Sequence, residues 1–256
     1  MKRKPEVKSM LAEQRAEKIM TELSARRTVS VTDLCLVTGA SEATIRRDLN
    51  ALARQGRLSK VHGGATLPGG EFYGEEPDME TKRRLYTEEK DRIARYAAGL
   101  VQDDDIVFMD AGTTVLRMAE HLQPSGALFL SNSPECACRL LERNLRTYVL
   151  GGMMKPGTMA VTGAEAMEGL RRYHFTKAFL GVNGITIGQG FTTPDPEEAA
   201  VKTLAASRAR TVYVLADASK FGRVTAASMF PIEAARVITD RLPNQQYRNY
   251  TEIREV

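Results

Sequence analysis

The sequence predicts two domains of different class: an N-terminal winged helix-turn-helix, mainly α, and a C-terminal α/β domain with a mostly parallel sheet. Three observations carry that expectation. Charge is unevenly placed: residues 1–62 hold 13 Lys and Arg against 7 Asp and Glu, and the remainder holds 23 against 25, so a basic head precedes a slightly acidic body within a net charge of +4. The stretch SEATIRRDLNALARQ puts apolar side chains on one side of a helix and Arg on the other. Beyond residue 82, short runs of branched apolar residues alternate with helix-forming stretches, the pattern of a parallel sheet covered by helices.

A length of 256 residues suits two domains, and 43% hydrophobic with 27% charged residues suits a packed core under a soluble surface. No run approaches the roughly 20 apolar residues that cross a bilayer. The opening MKRKPEVKSM leads into the charged LAEQRAEK, without the apolar centre of a signal peptide, so a cytoplasmic protein away from membranes is expected. Cys35, Cys136 and Cys138 are too few for a disulfide framework, and the last two are spaced neither as a zinc pair nor as C-x-x-C. Neither a metal nor a cofactor is expected.

Residues 1–65 are read as the winged helix-turn-helix domain. Leu11 to about Arg26 reads as a helix, with Ile19 and Leu23 four apart. Val29, Val31, Leu34 and Val37 outline a short second helix ending at Gly39. Ser41 suits the N-cap of a third, which stops at Gly56. Within it Ile45, Leu49 and Leu52 fall within about 60° of one another at the helical period. Arg47, Asn50 and Arg54 project from the opposite side, with Arg46 on its shoulder. Two helices joined by a tight turn, the second rich in exposed Arg, match a helix-turn-helix with its core at 28–47. Such a recognition helix enters the major groove by its N-terminal turns, so Thr44, Arg46 and Arg47 are placed to meet bases or phosphates, beside Ser41, Asn50 and Arg54. RLSKVHGGAT then suits a two-stranded wing carrying Lys60 and His62.

Residues 66–81, TLPGGEFYGEEPDMET, have Gly and Pro punctuation and acidic charge, and read as a linker. Residues 82–256 form the α/β domain, opening with the helix TEEKDRIARYAAGLV, whose Ile93, Ala97 and Leu100 share a side. Six strands are expected at IVFMD, ALFLS, TYVLGG, KAFLGV, TVYVLAD and RVITD, with helices such as TVLRMAEHL, PECACRLLERN, AEAMEGLRRY and PEEAAVKTLAASRA between most of them. Ligands of such sheets bind beyond the carboxyl ends of the strands. Those positions hold Asp110-Ala111-Gly112-Thr113-Thr114, Ser131-Asn132-Ser133, Gly151-Gly152, Asn183-Gly184 and Asp217 to Lys220. Gly112, Thr113 and Thr114 at a helix start can cradle an anion. GFTTPDPEEAAVK places Asp195, Glu198 and Lys202 at another helix start, where Asp195 also serves as a cap and Glu198 and Lys202 can pair four apart.

The run VSVTDLCLVTGASEATIRRDLNALARQGRLSKVHGGA resembles the DNA-binding signature of the DeoR family of bacterial regulators, notably Ser41, Thr44, Ile45, Arg46, Arg47, Asp48, Leu49 and His62 to Ala65. Asp110 to Thr114 resembles the family's D-S-G-T-T, and Ala216 to Gly222 its A-D-S-S-K-F-G, with Ala111 and Ala218 each replacing a Ser and deleting a hydroxyl. The resemblance implies a sensor domain similar to the ribose-5-phosphate isomerase and CoA-transferase-like fold. It also implies a phosphorylated sugar-like effector, held among Asp110, Gly112, Thr113, Thr114, Asn132, Gly152, Asn183, Asp195, Glu198, Lys202 and Lys220. The expected function is a repressor of a carbohydrate-metabolism operon, a homodimer or homotetramer on double-stranded operator DNA. The alternative is a sugar-phosphate isomerase-like enzyme with a DNA-binding appendage.

Overall fold

The computed structural model describes residues 12–26, 28–55, 57–61, 64–66, 71–72 and 79–256, and the chain divides into two compact units, Met1–Gly69 and Gly70–Val256. The first contains α1 (Ala12–Arg26), β1 (Thr28–Ser30), α2 (Val31–Thr38), α3 (Glu42–Arg54), β2 (Ser59–Val61) and β3 (Gly64–Thr66). Ile19, Leu23, Leu34, Ile45 and Leu49 form its core, each buried. Val29 lies in β1 and not in the second helix where the sequence pattern placed it; β1 pairs antiparallel with β3. The branched pair Thr28-Val29 favours a strand, and the Ser30 hydroxyl accepts from the Asp33 N–H at 3.0 Å, starting α2 at Val31. The ribbon is therefore three-stranded, in the order β1-β3-β2, where two strands were expected. Gly39, at φ 70°, closes α2 by donating to Cys35 O at 2.9 Å. Leu11, Gly56 and His62 lie outside the described residues.

The second unit begins with β4 (Glu71–Phe72), α4 (Met79–Arg84), α5 (Thr87–Ala98), β5 (Ile106–Met109), α6 (Thr113–His121), β6 (Leu128–Ser131), α7 (Pro134–Glu142) and β7 (Arg146–Val149). It continues with β8 (Met153–Met154), β9 (Val161–Thr162), α8 (Gly163–Arg171), β10 (Phe175–Gly181), β11 (Gly184–Thr186), β12 (Gly190–Thr193) and α9 (Pro196–Ser207). It ends with β13 (Ala209–Leu215), β14 (Arg223–Val224), β15 (Ala227–Ser228), β16 (Arg236–Thr239) and β17 (Ile253–Glu255). The stretch read as a linker is partly structured: β4 pairs parallel with β14, and α4 starts at Met79. A two-residue backbone pairing leaves no periodicity for the sequence to display.

All six apolar runs become strands of one parallel sheet, ordered β17-β16-β13-β10-β5-β6-β7. The seventh strand, β17, was not anticipated, since of its three residues only Ile253 is buried. Alternation separates two cores. Phe108, Ala178 and Leu180 point toward α8 and α9, while Val107, Met109 and Phe179 point toward α5, α6 and α7. From β5 the chain builds outward to β6 and β7, then returns to lay β10 against the other side of β5 and continues to β13, β16 and β17. The strand order thus reverses between β5 and β10, where such a sheet opens a crevice at its carboxyl ends.

Candidate functional site

In the first unit, α3 presents two unlike faces. Ile45, Leu49 and Leu52 are buried, whereas Arg46, Arg47, Asn50 and Arg54 are exposed. Ser41 caps the helix: its hydroxyl accepts from Thr44 N at 3.4 Å and lies 3.0 Å from Thr44 Oγ1. Among the described residues Arg46 reaches only Glu42, at 3.4 Å in an open i,i+4 pair that competes weakly with a phosphate. Arg47 and Arg54, among the described residues, bond only to backbone carbonyls, Ala43 O and Asn50 O, both at 3.3 Å. Asp48 is turned away toward Arg15 of α1, at 2.7 and 3.3 Å, in a largely buried pair that ties the recognition helix to its neighbour. Lys60, exposed on β2, stands opposite Ala65 of β3.

In the second unit, the reversal between β5 and β10 holds a cleft. Asp110, which follows β5, is 1% exposed, and its Oδ2 accepts from Gly181 N at the end of β10, at 3.0 Å. Lys202 of α9 pairs with the same oxygen and donates to Gly181 O at 3.1 Å. The anticipated Glu198–Lys202 pair gives way to this one, because the buried Asp110 carboxylate needs a cation and Lys202 is the one that reaches it. Gly112 packs its backbone against Gly181: a Cβ on Gly112 would stand 3.2 Å from Gly181 Cα. The first turn of α6 begins there with no side-chain cap, so its N–H groups are available to an anion.

Gly112, Thr113, Thr114, Asn183, Lys202 and Lys220 line this cleft, together with Glu198. Sequence reasoning missed Lys82, Lys90 and Thr158, which line it too. Lys90 of α5 is 4% exposed and donates to the Lys82 carbonyl. Burial pushes its ammonium from 10.5 down to about 8; Asp217 opposes that fall, while Lys220, Arg117 and Lys82 add to it. A buried ammonium beside half-buried Lys82 and Lys220 is costly alone and would be relieved by an anion. At the other end Glu198, 7% exposed, accepts from Thr158 Oγ1 at 2.7 Å and from Lys155 Nζ at 3.4 Å. Lys155 also pairs with Asp195, whose Oδ1 caps α9 at 2.9 Å from Glu198 N. Burial alone would raise the Asp195 carboxyl, but Lys155 and that N–H hold it below its usual value.

Four anticipated residues do not line the cleft: Asp110 and Asp195, held in the ion pairs just described, and Asn132 and Gly152. Asn132 is held by Val161, accepting at its main-chain carbonyl from Val161 N at 2.7 Å and donating from side-chain Nδ2 to Val161 O at 3.4 Å. Gly152, at φ 139°, is exposed before β8, where a Cβ would press on Thr162 O at 2.9 Å; it serves the turn. Cys136 is buried, and burial pushes its thiol up to about 12, as expected of a packing residue. Among the described residues no His, Cys, Asp or Glu cluster could hold a metal, and no helix is long and apolar enough to cross a membrane.

Comparison with known proteins gives these two surfaces a family. Residues 15–69 match the model of the DeoR-like helix-turn-helix domain, and residues 86–241 that of the DeoR C-terminal sensor domain. The HTH-type transcriptional regulator FruR of Bacillus subtilis strain 168 is 36% identical over 95% of this chain and 96% of its own. The HTH-type transcriptional repressor GlcR of the same strain is 33% identical over 93% and 92%. The lactose phosphotransferase system repressor of Streptococcus mutans is 32% identical over 95% and 99%. A solved D-ribose-5-phosphate isomerase in complex with phospho-erythronic acid covers 53% of this chain and 54% of its own at 15% identity and TM-score 0.41, too slight a likeness to transfer anything from. Full-length relatives that are regulators set aside the isomerase alternative. The chain is a DNA-binding regulator with an effector-sensing domain, and it belongs to the DeoR family of transcriptional regulators.

Proposed function

We propose that this protein represses a carbohydrate-metabolism operon, and that a phosphorylated sugar-like metabolite in the cleft changes its hold on operator DNA. The observation that carries this is the cationic end of the cleft, where Lys82, Lys90 and Lys220 converge near the uncapped start of α6. The name of one relative, a lactose phosphotransferase system repressor, points the same way. Repression works by linkage: effector and DNA favour different arrangements of the protein, and the effector shifts DNA affinity only by its preference between them. Two-fold operators are read by paired heads, so the working form is a homodimer or homotetramer in the cytoplasm, with no cofactor. On DNA, Ser41, Thr44, Arg46, Arg47, Asn50, Arg54 and Lys60 of the described residues make the contacts, joined by His62; in the cleft the effector meets Gly112, Thr113, Thr114, Asn183, Glu198, Lys202 and Lys220.

The test is a fluorescence-anisotropy titration of the whole protein on duplex DNA from its own promoter region, repeated with a panel of sugar phosphates. Tight binding that at least one sugar phosphate alters supports the proposal. Binding that no member alters, with no thermal stabilisation by any of them, overturns the effector half. Indifference to that DNA at low salt overturns the regulator half.

A further inference from the structure

The two ends of the cleft are electrostatic opposites. At one, Lys82, Lys90 and Lys220 line the cleft, and Asp217, Lys220 and Lys82 all act on the buried Lys90 ammonium. At the other, two carboxylates, Asp195 and Glu198, share a single ammonium, Lys155. Between them Lys202 is neutralised by Asp110 and by the Gly181 carbonyl. Both described bonds to the Glu198 side chain end on Oε1, which leaves Oε2 for the cleft that Glu198 lines. Beside Lys202, Asp110 Oδ1 is buried with no donor. Glu198 therefore presents a carboxylate oxygen with no described partner to whatever occupies this end.

Resting on the phosphate reading of the lysine end, we propose that Glu198 is the specificity-determining residue of the opposite end. It accepts a hydroxyl hydrogen from the effector's uncharged tail and excludes a second phosphate there. A hydroxyl bound to a carboxylate makes a short, charge-assisted bond. A phosphate in the same place sets two anions together where little water can screen them, a costly arrangement that Lys155, already shared, does not relieve. The cleft thus selects compounds with one phosphorylated end and one hydroxylated end over the same carbon skeleton phosphorylated at both.

The experiment measures thermal stabilisation and calorimetric affinity of the full-length protein with matched pairs: fructose 6-phosphate and fructose 1,6-bisphosphate, glucose 6-phosphate and glucose 1,6-bisphosphate, ribulose 5-phosphate and ribulose 1,5-bisphosphate. Inorganic phosphate probes the lysine end alone. Wild-type protein is expected to prefer the monophosphate of its best pair by about tenfold or more, on the order of 1.4 kcal/mol. Glu198→Gln, which keeps an acceptor for Thr158, should shrink that preference about tenfold while leaving the inorganic phosphate response intact. Glu198→Asp, which keeps the charge, should retain most of the preference. A wild-type protein that holds the bisphosphate as tightly as the monophosphate, or a Glu198→Gln protein with unchanged preference, overturns the proposal. Failure of every phosphorylated probe, inorganic phosphate included, instead removes the phosphate reading on which it rests.

Discussion

The two functional surfaces treat charge in opposite ways. On α3 the guanidinium groups of Arg46, Arg47 and Arg54 stand in solvent with at most a weak intrahelical partner. In and beside the sensor cleft Asp110, Lys202, Glu198 and Lys90 are all more than nine-tenths buried, and each is bonded to another part of the fold. A surface that meets DNA must keep its cations ready to exchange water and counterions for phosphate. A pocket that recognises a small anion must fix its groups beforehand, because any reorganisation is subtracted from affinity. Substitutions in the first surface should therefore alter binding and spare stability, and substitutions in the second should do both.

The largest expected effect is Lys202→Met, which leaves Asp110 buried without its cation. Denaturant unfolding should show a loss of about 3–5 kcal/mol, and a stability equal to wild type would erase the contrast. Next is Arg47→Ala, expected to weaken operator binding by about 1–3 kcal/mol if it reads a base, or to reduce the salt slope by about one if it meets a phosphate. Its melting temperature should stay at the wild-type value, and DNA affinity unchanged at every salt concentration would remove Arg47 from the interface.

Lys90 sharpens the comparison through pH. Its value near 8 lies below the 10.5 of an ordinary lysine, so between those limits the unfolded chain holds more protons than the folded one. Folding stability contributed by this group therefore rises with pH across that window, and its cost is full below about 8. An anion favours the protonated ammonium, so affinity for a sugar phosphate should fall as pH is raised from 7 to 9, where the ligand's own ionisation near 6 is complete. Calorimetry at the two pH values checks this, and Lys90→Met should abolish the dependence. The smallest effect belongs to Ser30→Ala, which removes the cap of α2 and should cost about 1 kcal/mol in thermal unfolding.

The same contrast explains what the sequence made legible. The third helix and its two faces follow from a local period, and six strands announce themselves as apolar runs, because each depends on neighbours in the chain. The cleft depends on residues far apart in sequence, such as Asp110 and Lys202, separated by 92 positions. Strand ends identified its glycines and threonines, but the Lys202 partner was misread because only the local Glu198 was visible. Lys90 did leave a trace: it precedes Ile93 by three and Ala94 by four, placing a lysine on the buried stripe of α5. Thr158 and Lys155 left none, for the turn between β8 and β9 has no periodicity to interrupt.

The meeting of Gly112 and Gly181 has a mechanical meaning. With no side chain between the start of α6 and the end of β10, no soft torsion is left to absorb a displacement. Whatever pulls on that helix start must push the strand end with it, and Lys202, fastened to Gly181 O, carries the same motion into α9. The centre of the sensor is stiff at its hinge of bare backbone, and small movements there pass undiluted to helices on both faces of the sheet.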